Sequence, residues 1–163
     1  MGYFQMGNAR KSMEIMLRKM TIEDVTALSE LEKQCFTDAW SENMVRDLVD
    51  SSWDEVWVLE SERILGYINF RFIAGEGELM RIAVLPEHRG HGYSRKLMDV
   101  MMEEAAKNQI TDLTLEVRAG NEPAIGLYKA YNFAEEAVRK NYYHNPTEDA
   151  LIMWAHGLPT IPT

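Results

Sequence analysis

Residues 78–102, ELMRIAVLPEHRGHGYSRKLMDVMM, constrain the fold more than any other part of the chain. An apolar run over residues 79–85 ends at Pro86, which is typical of a buried strand, because proline cannot donate a hydrogen bond to a neighbouring strand. A glycine-bearing turn follows at residues 89–94, and apolar residues then recur at helical spacing. A strand that turns tightly into a helix gathers backbone N–H groups at a positive helix start, and such a start binds phosphate without a metal.

Length and charge limit the class of protein to which this segment can belong. The chain has 163 residues, of which 46% are hydrophobic, and a net charge of −9. These values are typical of one globular domain with a real core. We predict a single domain over residues 13–157, a tail or expression remnant over residues 1–12 and a short tail over residues 158–163. The negative net charge argues against direct nucleic-acid binding.

The apolar and cysteine patterns predict a cytoplasmic protein. No apolar run approaches the roughly 20 residues that a membrane span needs, and the first residues lack the hydrophobic core of a signal peptide. The single cysteine, Cys35, cannot form an internal disulfide, and no thiolate metal site is indicated. Packing at the end of a helix is the favoured role for Cys35. We therefore expect no membrane contact and no metal, and the sequence leaves the oligomeric state open.

Hydrophobic periodicity predicts strands and helices on either side of the central segment. Ser41 and Asn121 are predicted N-caps, because their side chains can accept a hydrogen bond from the first helical turn. The predicted elements are strand 13–19, a helix from Thr21 to about Cys35, a helix after Ser41, a hairpin of strands 55–59 and 64–73, a turn at 75–77, the central strand and helix, strand 112–117, a short helix after Asn121, and strands 133–143 and 150–155. This order predicts an α/β protein with a mixed sheet and helices on both of its faces.

The same periodicity predicts which side chains point inward. Strand 112–117 alternates strictly, so that Glu116 points away from the apolar face formed by Leu113, Leu115 and Val117. The predicted inward positions of three helices are Ile22, Val25, Leu28, Leu31 and Phe36 in the first, Met44, Val45, Leu48 and Val49 in the second, and Ala124, Leu127, Tyr128 and Tyr131 in the last.

Several short motifs follow one another in a characteristic order. They are Ile82-Ala83-Val84, the turn Arg89-Gly90-His91-Gly92-Tyr93-Ser94, LEVRAGN at 115–121, AIGLY at 124–128, RKNYY at 139–143 and EDALIM at 148–153. Together they resemble the Gcn5-related N-acetyltransferases (GNAT), and within that family the RimI-type ribosomal-protein-alanine acetyltransferases. The resemblance covers residues 13–155. It implies a mixed, mostly antiparallel central sheet of about six to seven strands, with about four helices on both faces and a splay between the central strands.

The resemblance implies that the turn binds the pyrophosphate of acetyl-CoA, the co-substrate of the family. The backbone N–H groups involved would be those of Arg89, Gly90, His91, Gly92, Tyr93, Ser94 and Arg95. Two positions depart from the family pattern, since Ser94 replaces Gly or Ala in the turn and Ala39 replaces a common Pro before Trp40. A strand-to-helix turn without a ligand is the alternative. A dinucleotide-binding turn is disfavoured because the third glycine of G-x-G-x-x-G is missing. An NTPase is disfavoured because no Walker lysine follows the turn.

The resemblance assigns further acetyl-CoA contacts beyond the turn. Ile82, Ala83 and Val84 would offer backbone groups to the pantetheine arm, as though the arm were an added strand. The N–H of Val84 would polarise the thioester carbonyl, where negative charge develops on attack. Asn121 would contact the same arm, and a plain helix N-cap is an equally compatible role for it.

Two residues are candidates for acid–base catalysis. Glu116 matches the proposed base of the family, and a modest base is enough, because an α-amino group has a pKa near about 7.7–8.0. An exposed strand carboxylate is the alternative for Glu116. Tyr128 is the candidate acid that protonates the departing CoA thiolate, and a core ring is its alternative. A tyrosine ring can pack while its hydroxyl reaches a cleft.

The implied function is transfer of an acetyl group from acetyl-CoA to a protein N-terminal amine. The implied acceptor is the N-terminal alanine of small-subunit ribosomal protein eighteen. The alternatives are acetylation of another amine, such as a different N-terminus, a lysine or a polyamine, or a CoA-binding module with little turnover. His144 and the pair Glu148 and Asp149 lie where the resemblance places the acceptor peptide, and solvent-exposed roles are their alternatives. Arg118 is expected to order the cleft rather than to react.

Overall fold

The computed structural model describes residues 14–162, and the predicted tail over residues 1–12 lies outside the described residues. The chain divides into two compact units. Among the described residues, the first unit contains residues 14–68 together with Ile82–Leu97, and the second contains Asn69–Arg81 and residues 98–162. None of the helices in the described part of the chain combines the length and the apolar character that crossing a lipid bilayer would demand.

Within residues 14–162, seven strands and four α-helices follow one another in the predicted order. The strands are β1 (Met16–Lys19), β2 (Asp54–Ser61), β3 (Arg63–Ile73), β4 (Glu76–Val84), β5 (Asp112–Arg118), β6 (Ala134–Tyr143) and β7 (Glu148–Ala155). The helices are α1 (Val25–Cys35), α2 (Glu42–Asp50), α3 (Tyr93–Lys107) and α4 (Glu122–Ala130), with short 3₁₀ turns at Ile22–Asp24 and Pro86–His88.

The strands follow the order β1-β2-β3-β4-β5-β7-β6 in the sheet, and β3 and β4 contribute residues to both units. The β4–β5 pair is parallel, whereas β1–β2, β5–β7 and β6–β7 are antiparallel. A parallel pair needs a crossover connection, and α3 supplies it between β4 and β5. This mixed sheet with four helices confirms the predicted fold class.

The first unit is built on the packing of α1 and α2 with the first strands. Ser41 caps α2, since its Oγ accepts a hydrogen bond from the N–H of Met44 at 3.2 Å, as predicted. A buried carboxylate, that of Glu32 on α1, accepts hydrogen bonds from the Tyr67 hydroxyl and from the Trp40 N–H, the latter at 2.9 Å. Burial of a carboxylate is tolerated here because both oxygens have a donor.

Three predicted inward positions in this unit are corrected. Ile22 is 54% exposed, because it lies in the 3₁₀ turn before α1, where the residue spacing differs from that of an α-helix. Met44 is 51% exposed, because α2 is short and buries only Val45 completely. Phe36 lies beyond the last residue of α1 in extended backbone, so it is not part of the helical stripe.

The second unit contains β5, whose strict alternation is observed. Leu113, Leu115 and Val117 are buried, whereas Glu116 lies on the opposite, half-buried face. In α4 the buried residues are Tyr128, as predicted, and Ile125, which the predicted stripe omitted.

The predicted turn at residues 75–77 is corrected. The turn lies at Ala74 and Gly75, which have positive φ values of 53° and 84°, and β4 already begins at Glu76. Gly77 lies within β4 and pairs with Leu113. A glycine is needed there because the side chains of Leu113 and Phe72 occupy the space that a Cβ atom would take.

Candidate active site

The glycine turn after β4 leaves its backbone open. Gly90 and Gly92 have φ values of 86° and 78°, a region that residues with a side chain rarely adopt. Apart from its two neighbours in the chain, a Cβ atom added at either glycine would meet no atom of residues 14–162 within 4 Å. Helix α3 begins at Tyr93, and the N–H of Lys96 donates to the Gly92 carbonyl at 3.2 Å. The N–H groups that come before Lys96 therefore precede the regular intrahelical hydrogen bonds.

These features fit an anionic ligand on the turn. The amides of the first helical turn point out of the helix start and carry its positive partial charge. The absence of neighbouring atoms over Gly90 and Gly92 lets a phosphate approach the backbone closely. Tyr93 and Ser94, which were predicted as turn residues, lie in the first turn of α3. His91 contacts the ring of Tyr93, with the ring centres 5.6 Å apart, and Arg95 is exposed.

The carbonyl of Val84, at the end of β4, has two side-chain donors. Nε of Arg89 donates to it at 3.0 Å, and the thiol of Cys35 approaches it at 3.5 Å. The side chain of Arg89, a residue of the glycine turn, therefore stabilises the end of β4. Burial raises the pKa of the Cys35 thiol, so the thiol stays protonated and acts as a packed donor, in agreement with the packing role expected for it.

The β4–β5 ladder is short. Its register runs from Glu76 opposite Asp112 to Glu78 opposite Thr114. Strand β4 continues beyond Glu78 for six residues, which include Ile82, Ala83 and Val84. Ile82 is half-buried, and Ala83 and Val84 are buried. The early end of the ladder agrees with the splay that the family resemblance implies at this point of the sheet.

Glu116 is held by two side chains from β6. Its Oε1 lies 3.4 Å from Nη1 of Arg139, and the hydroxyl of Tyr142 donates a hydrogen bond to its carboxylate. That hydrogen bond, together with burial, raises the pKa of Tyr142. Glu116 is about three-quarters buried, with 24% of its side chain exposed. Its burial and its two side-chain partners distinguish it from a solvent-exposed strand carboxylate.

A second carboxylate, that of Glu78 on β4, belongs to the same cluster. Burial and the negative charge of Glu116 raise the pKa of Glu78, while Arg71 and Arg139 oppose that shift. Sequence reasoning missed Glu78. The signal that could have found it is the alternation of polar and apolar residues in Glu76-Gly77-Glu78-Leu79, which places Glu78 on the face opposite to buried Leu79.

Tyr128 is buried on α4, with 7% of its surface exposed. Its ring centre lies 6.1 Å from that of Phe133, so the ring packs in the core of the second unit. Burial, followed by the influence of Tyr143, raises the pKa of Tyr128 well above its usual range. The hydroxyl therefore keeps its proton throughout the pH range in which enzymes work.

Arg118, at the end of β5, orders the loop between β6 and β7. It donates hydrogen bonds to the carbonyls of Pro146 and His144 at 3.0 and 3.1 Å, and its Nη1 lies 3.4 Å from Glu148. The other oxygen of Glu148 accepts from the Gly120 N–H at 2.5 Å. Arg118 thus connects this loop to the chain just before α4.

The remaining predicted residues have intramolecular roles. The side chain of Asn121 accepts a hydrogen bond from the Ala124 N–H at 3.3 Å and caps α4. Asp149 accepts from Lys140 at 3.2 Å and from the Asn141 N–H at 2.9 Å. His144 is exposed, and its backbone carbonyl accepts a hydrogen bond from Arg118. Within residues 14–162, no group of three or more His, Cys, Asp or Glu side chains is arranged to hold a metal ion.

The predicted site residues thus fall into two sets. The turn and the end of β4 belong to the first unit, whereas Glu116, Asn121 and Tyr128 belong to the second. Within the second unit the structure brings Glu116 together with Glu78, Arg139 and Tyr142. The roles assigned to the site residues stay predictions.

Comparison with known proteins gives the same family as the motifs. The model of the acetyltransferase (GNAT) family matches residues 25–133. A Bacillus subtilis protein that is provisionally named ribosomal protein bS18-alanine N-acetyltransferase is 33% identical over 85% of this chain and 93% of its own length. The ribosomal protein bS18-alanine N-acetyltransferase of Escherichia coli K12 is 31% identical over 80% of this chain and 89% of its own length.

Solved structures agree with these sequence relationships. The crystal structure of the ribosomal-protein-S18-alanine N-acetyltransferase from Escherichia coli has a TM-score of 0.83 and 26% identity, over 91% of this chain and 97% of that one. Arabidopsis thaliana NAA60, crystallised with acetyl-CoA, shares the fold with a TM-score of 0.80 at 16% identity, over 88% of this chain and 98% of that one. The chain therefore belongs to the acetyltransferase (GNAT) family.

Proposed function

We propose that this protein transfers the acetyl group of acetyl-CoA to the N-terminal alanine amine of ribosomal protein bS18. The acceptor is supported by the two relatives that carry this activity in their names and that align with at least 80% of the chain. The structural observation that best supports binding of acetyl-CoA is the open glycine turn at the start of α3. From the acceptor we infer that the enzyme works in the cytoplasm, where ribosomal proteins are made.

The turn and the end of β4 are the proposed acetyl-CoA site. The amides of residues 89–95 would hold the pyrophosphate, because the approach over Gly90 and Gly92 is open and the positive end of α3 follows. Of these amides, that of Arg89 already donates to the Pro86 carbonyl at 3.3 Å. Backbone groups of Ile82, Ala83 and Val84 would hold the pantetheine arm, and Asn121 would add a contact while it caps α4. Acetyl-CoA supplies an acetyl group that is activated as a thioester. The N–H of Val84 would stabilise negative charge on the carbonyl oxygen under attack.

Glu116 is the proposed base of the reaction. The acceptor arrives largely as an ammonium group at neutral pH, and it must lose a proton before its nitrogen can attack. The half-buried carboxylate of Glu116, oriented by Arg139 and Tyr142, can bind the ammonium group and accept this proton directly or through water.

Tyr128 is the proposed donor to the departing thiolate. Its buried hydroxyl stays protonated, so a hydrogen is always present to donate. Because its pKa is high, we infer that it stabilises the thiolate by a hydrogen bond as the C–S bond breaks, and that a full proton transfer follows only as charge accumulates on sulfur.

Mass spectrometry of purified, unacetylated ribosomal proteins incubated with the enzyme and acetyl-CoA tests the proposal. The expected result is one added acetyl group on the N-terminal residue of bS18, and none on the same protein with a chemically blocked N-terminus. Acetylation of lysines or of spermidine, with an unmodified bS18 terminus, would favour another amine. Binding of acetyl-CoA in calorimetry without CoA release on any amine would favour the CoA-binding module.

A further inference from the structure

Glu78 and Glu116 are neighbours on one face of the sheet. The Cα atom of Glu78 is paired with that of Thr114, and Glu116 lies two residues further along β5 on the same face as Thr114. The parallel ladder ends at this pair, so Glu78 and Glu116 lie on the same face of the sheet at the end of the β4–β5 pairing. The negative charge of Glu116 influences Glu78 there, although the two residues are far apart in the sequence.

Charged and titratable groups face this pair from two further strands. Arg71 comes from β3, and Arg139 and Tyr142 come from β6. The hydroxyl of Tyr142 and the guanidinium of Arg139 both engage Glu116. Arg71 and Arg139 are close enough to influence the carboxylate of Glu78. Two guanidinium groups thus allow two carboxylates to share a half-buried site.

The environment differs between the two carboxylates. Glu116 contacts the guanidinium of Arg139 and the hydroxyl of Tyr142. The pKa of Glu78 is raised by burial first and by the charge of Glu116 second. Glu78 therefore takes up a proton at a higher pH than an ordinary glutamate does.

We propose that Glu78 is a positioning residue that acts through Glu116, by receiving the proton that Glu116 takes from the acceptor amine. This inference rests on the proposed function. An N–H bond of the ammonium group breaks, its electron pair stays on nitrogen, and an O–H bond forms on Glu116. That O–H bond then breaks as one forms on Glu78, and Glu116 is again an anion. Glu78 later releases the proton to solvent.

A second carboxylate beside Glu116 would compensate for the weak basicity of a single one. A carboxylic acid with its ordinary pKa near about 4.3 is a weak base toward an ammonium group. Acid–base catalysis is most effective when the pKa of the catalyst lies near the working pH. Because the pKa of Glu78 is raised, Glu78 is the better final acceptor of the proton, and the transfer leaves Glu116 charged for the next ammonium group.

The pH dependence of kcat/KM in Glu78→Gln tests the proposal. The substitution removes the carboxylate whose pKa is raised, so the acidic limb of the profile should move to lower pH. The plateau should fall roughly tenfold, a fraction of the roughly 10²–10⁴-fold effect of a complete acid–base catalyst. Glu76→Gln is the matched control, because Glu76 is an exposed carboxylate two residues away on the same strand. It should retain the wild-type profile, and an equal profile in both variants would overturn the proposal.

A second measurement does not depend on turnover or on the folding of Glu78→Gln. Carbon-detected NMR of the glutamate carboxyl groups can follow the titration of Glu78 in the wild type and in Glu116→Gln. We expect the pKa of Glu78 to lie above its ordinary value in the wild type and to fall in Glu116→Gln, because the neighbouring negative charge is gone. A pKa that is the same in both proteins would show that the carboxylates are not coupled, and this would overturn the proposal.

The two measurements separate failure of this inference from failure of the proposed function. If wild-type enzyme does not acetylate the bS18 terminus, the proposed acceptor is wrong, whatever the NMR titration shows. If wild-type enzyme acetylates it while Glu78→Gln behaves like Glu76→Gln, the acceptor stands and only the role of Glu78 is wrong.

Discussion

The guanidinium carbon of Arg118 lies 4.4 Å from the ring centre of Tyr143, while the same group donates hydrogen bonds to two carbonyls of the β6–β7 loop. A planar guanidinium can stack on a ring and donate along its edges at the same time, whereas an ammonium group cannot. Arg118 therefore fixes Tyr143 and the loop in one arrangement.

Arg118→Lys should raise the KM for the acceptor peptide by about tenfold, because one lysine cannot replace the stacking and both loop hydrogen bonds. The dissociation constant for acetyl-CoA should not change, since Arg118 is not part of the glycine turn. Steady-state kinetics and calorimetry check both values. Arg46→Lys on α2, where Arg46 lies 3.6 Å from Glu42, is the matched control. Equal acceptor KM values in the two variants would contradict the positioning role.

Tyr128→Phe should lower kcat by roughly 10²-fold, the lower range of an acid–base contribution, and should leave the affinity for acetyl-CoA unchanged. The ring remains to pack against Phe133, so only the hydroxyl is lost. The control is Tyr131→Phe, which removes a hydroxyl that donates to Asp99 at 2.6 Å on the surface. An unchanged kcat in Tyr128→Phe would remove Tyr128 from the mechanism.

Gly92→Ala should weaken acetyl-CoA binding roughly tenfold. Its φ of 78° costs a residue with a Cβ about 1–2 kcal/mol, so the turn will relax away from its open form. Calorimetric titration with CoA measures the effect. Gly126→Ala serves as the control, because Gly126 lies within helix α4, has no neighbour within 4 Å of an added Cβ and needs no unusual φ. Similar CoA affinities for both variants would show that the turn does not bind the cofactor.

His156 should make stability depend on pH. Its two ring nitrogens lie 2.7 Å from Asp112 and 2.7 Å from Glu136, and these bonds raise the pKa of His156. A raised pKa in the folded state means that the stabilisation is complete below the ordinary histidine pKa of about 6.5 and is lost as pH rises through the folded value. Urea midpoints between about pH 5.5 and 8.5 should therefore decline in the wild type.

The same measurement on two variants identifies the source of that decline. His156→Asn should flatten the dependence of the urea midpoint on pH, because no group then titrates between the two carboxylates. Asp112→Asn should reduce the decline without removing it, since Glu136 still faces the ring. A decline of wild-type size in His156→Asn would assign the pH dependence to another group.

Much of the architecture was predictable because it depends on local rules. The order of strands and helices, the N-caps at Ser41 and Asn121, and the outward direction of Glu116 follow from spacing and from hydrogen-bond geometry within a few residues. The glycine turn is also local, since positive φ values restrict the residue types that can occupy it.

The exposure of Ile22 and Met44 and the identity of the second carboxylate were decided only by tertiary structure. Periodicity identifies an apolar face, but whether another element covers that face depends on packing across the chain. Glu78 became a candidate because the β4–β5 register and the side chains of β6 bring it to Glu116. The sequence alone determined the fold family and the glycine turn. The charge environment of Glu116 was decided by tertiary structure, because it arises from residues that are distant in the chain and that no local pattern relates to one another.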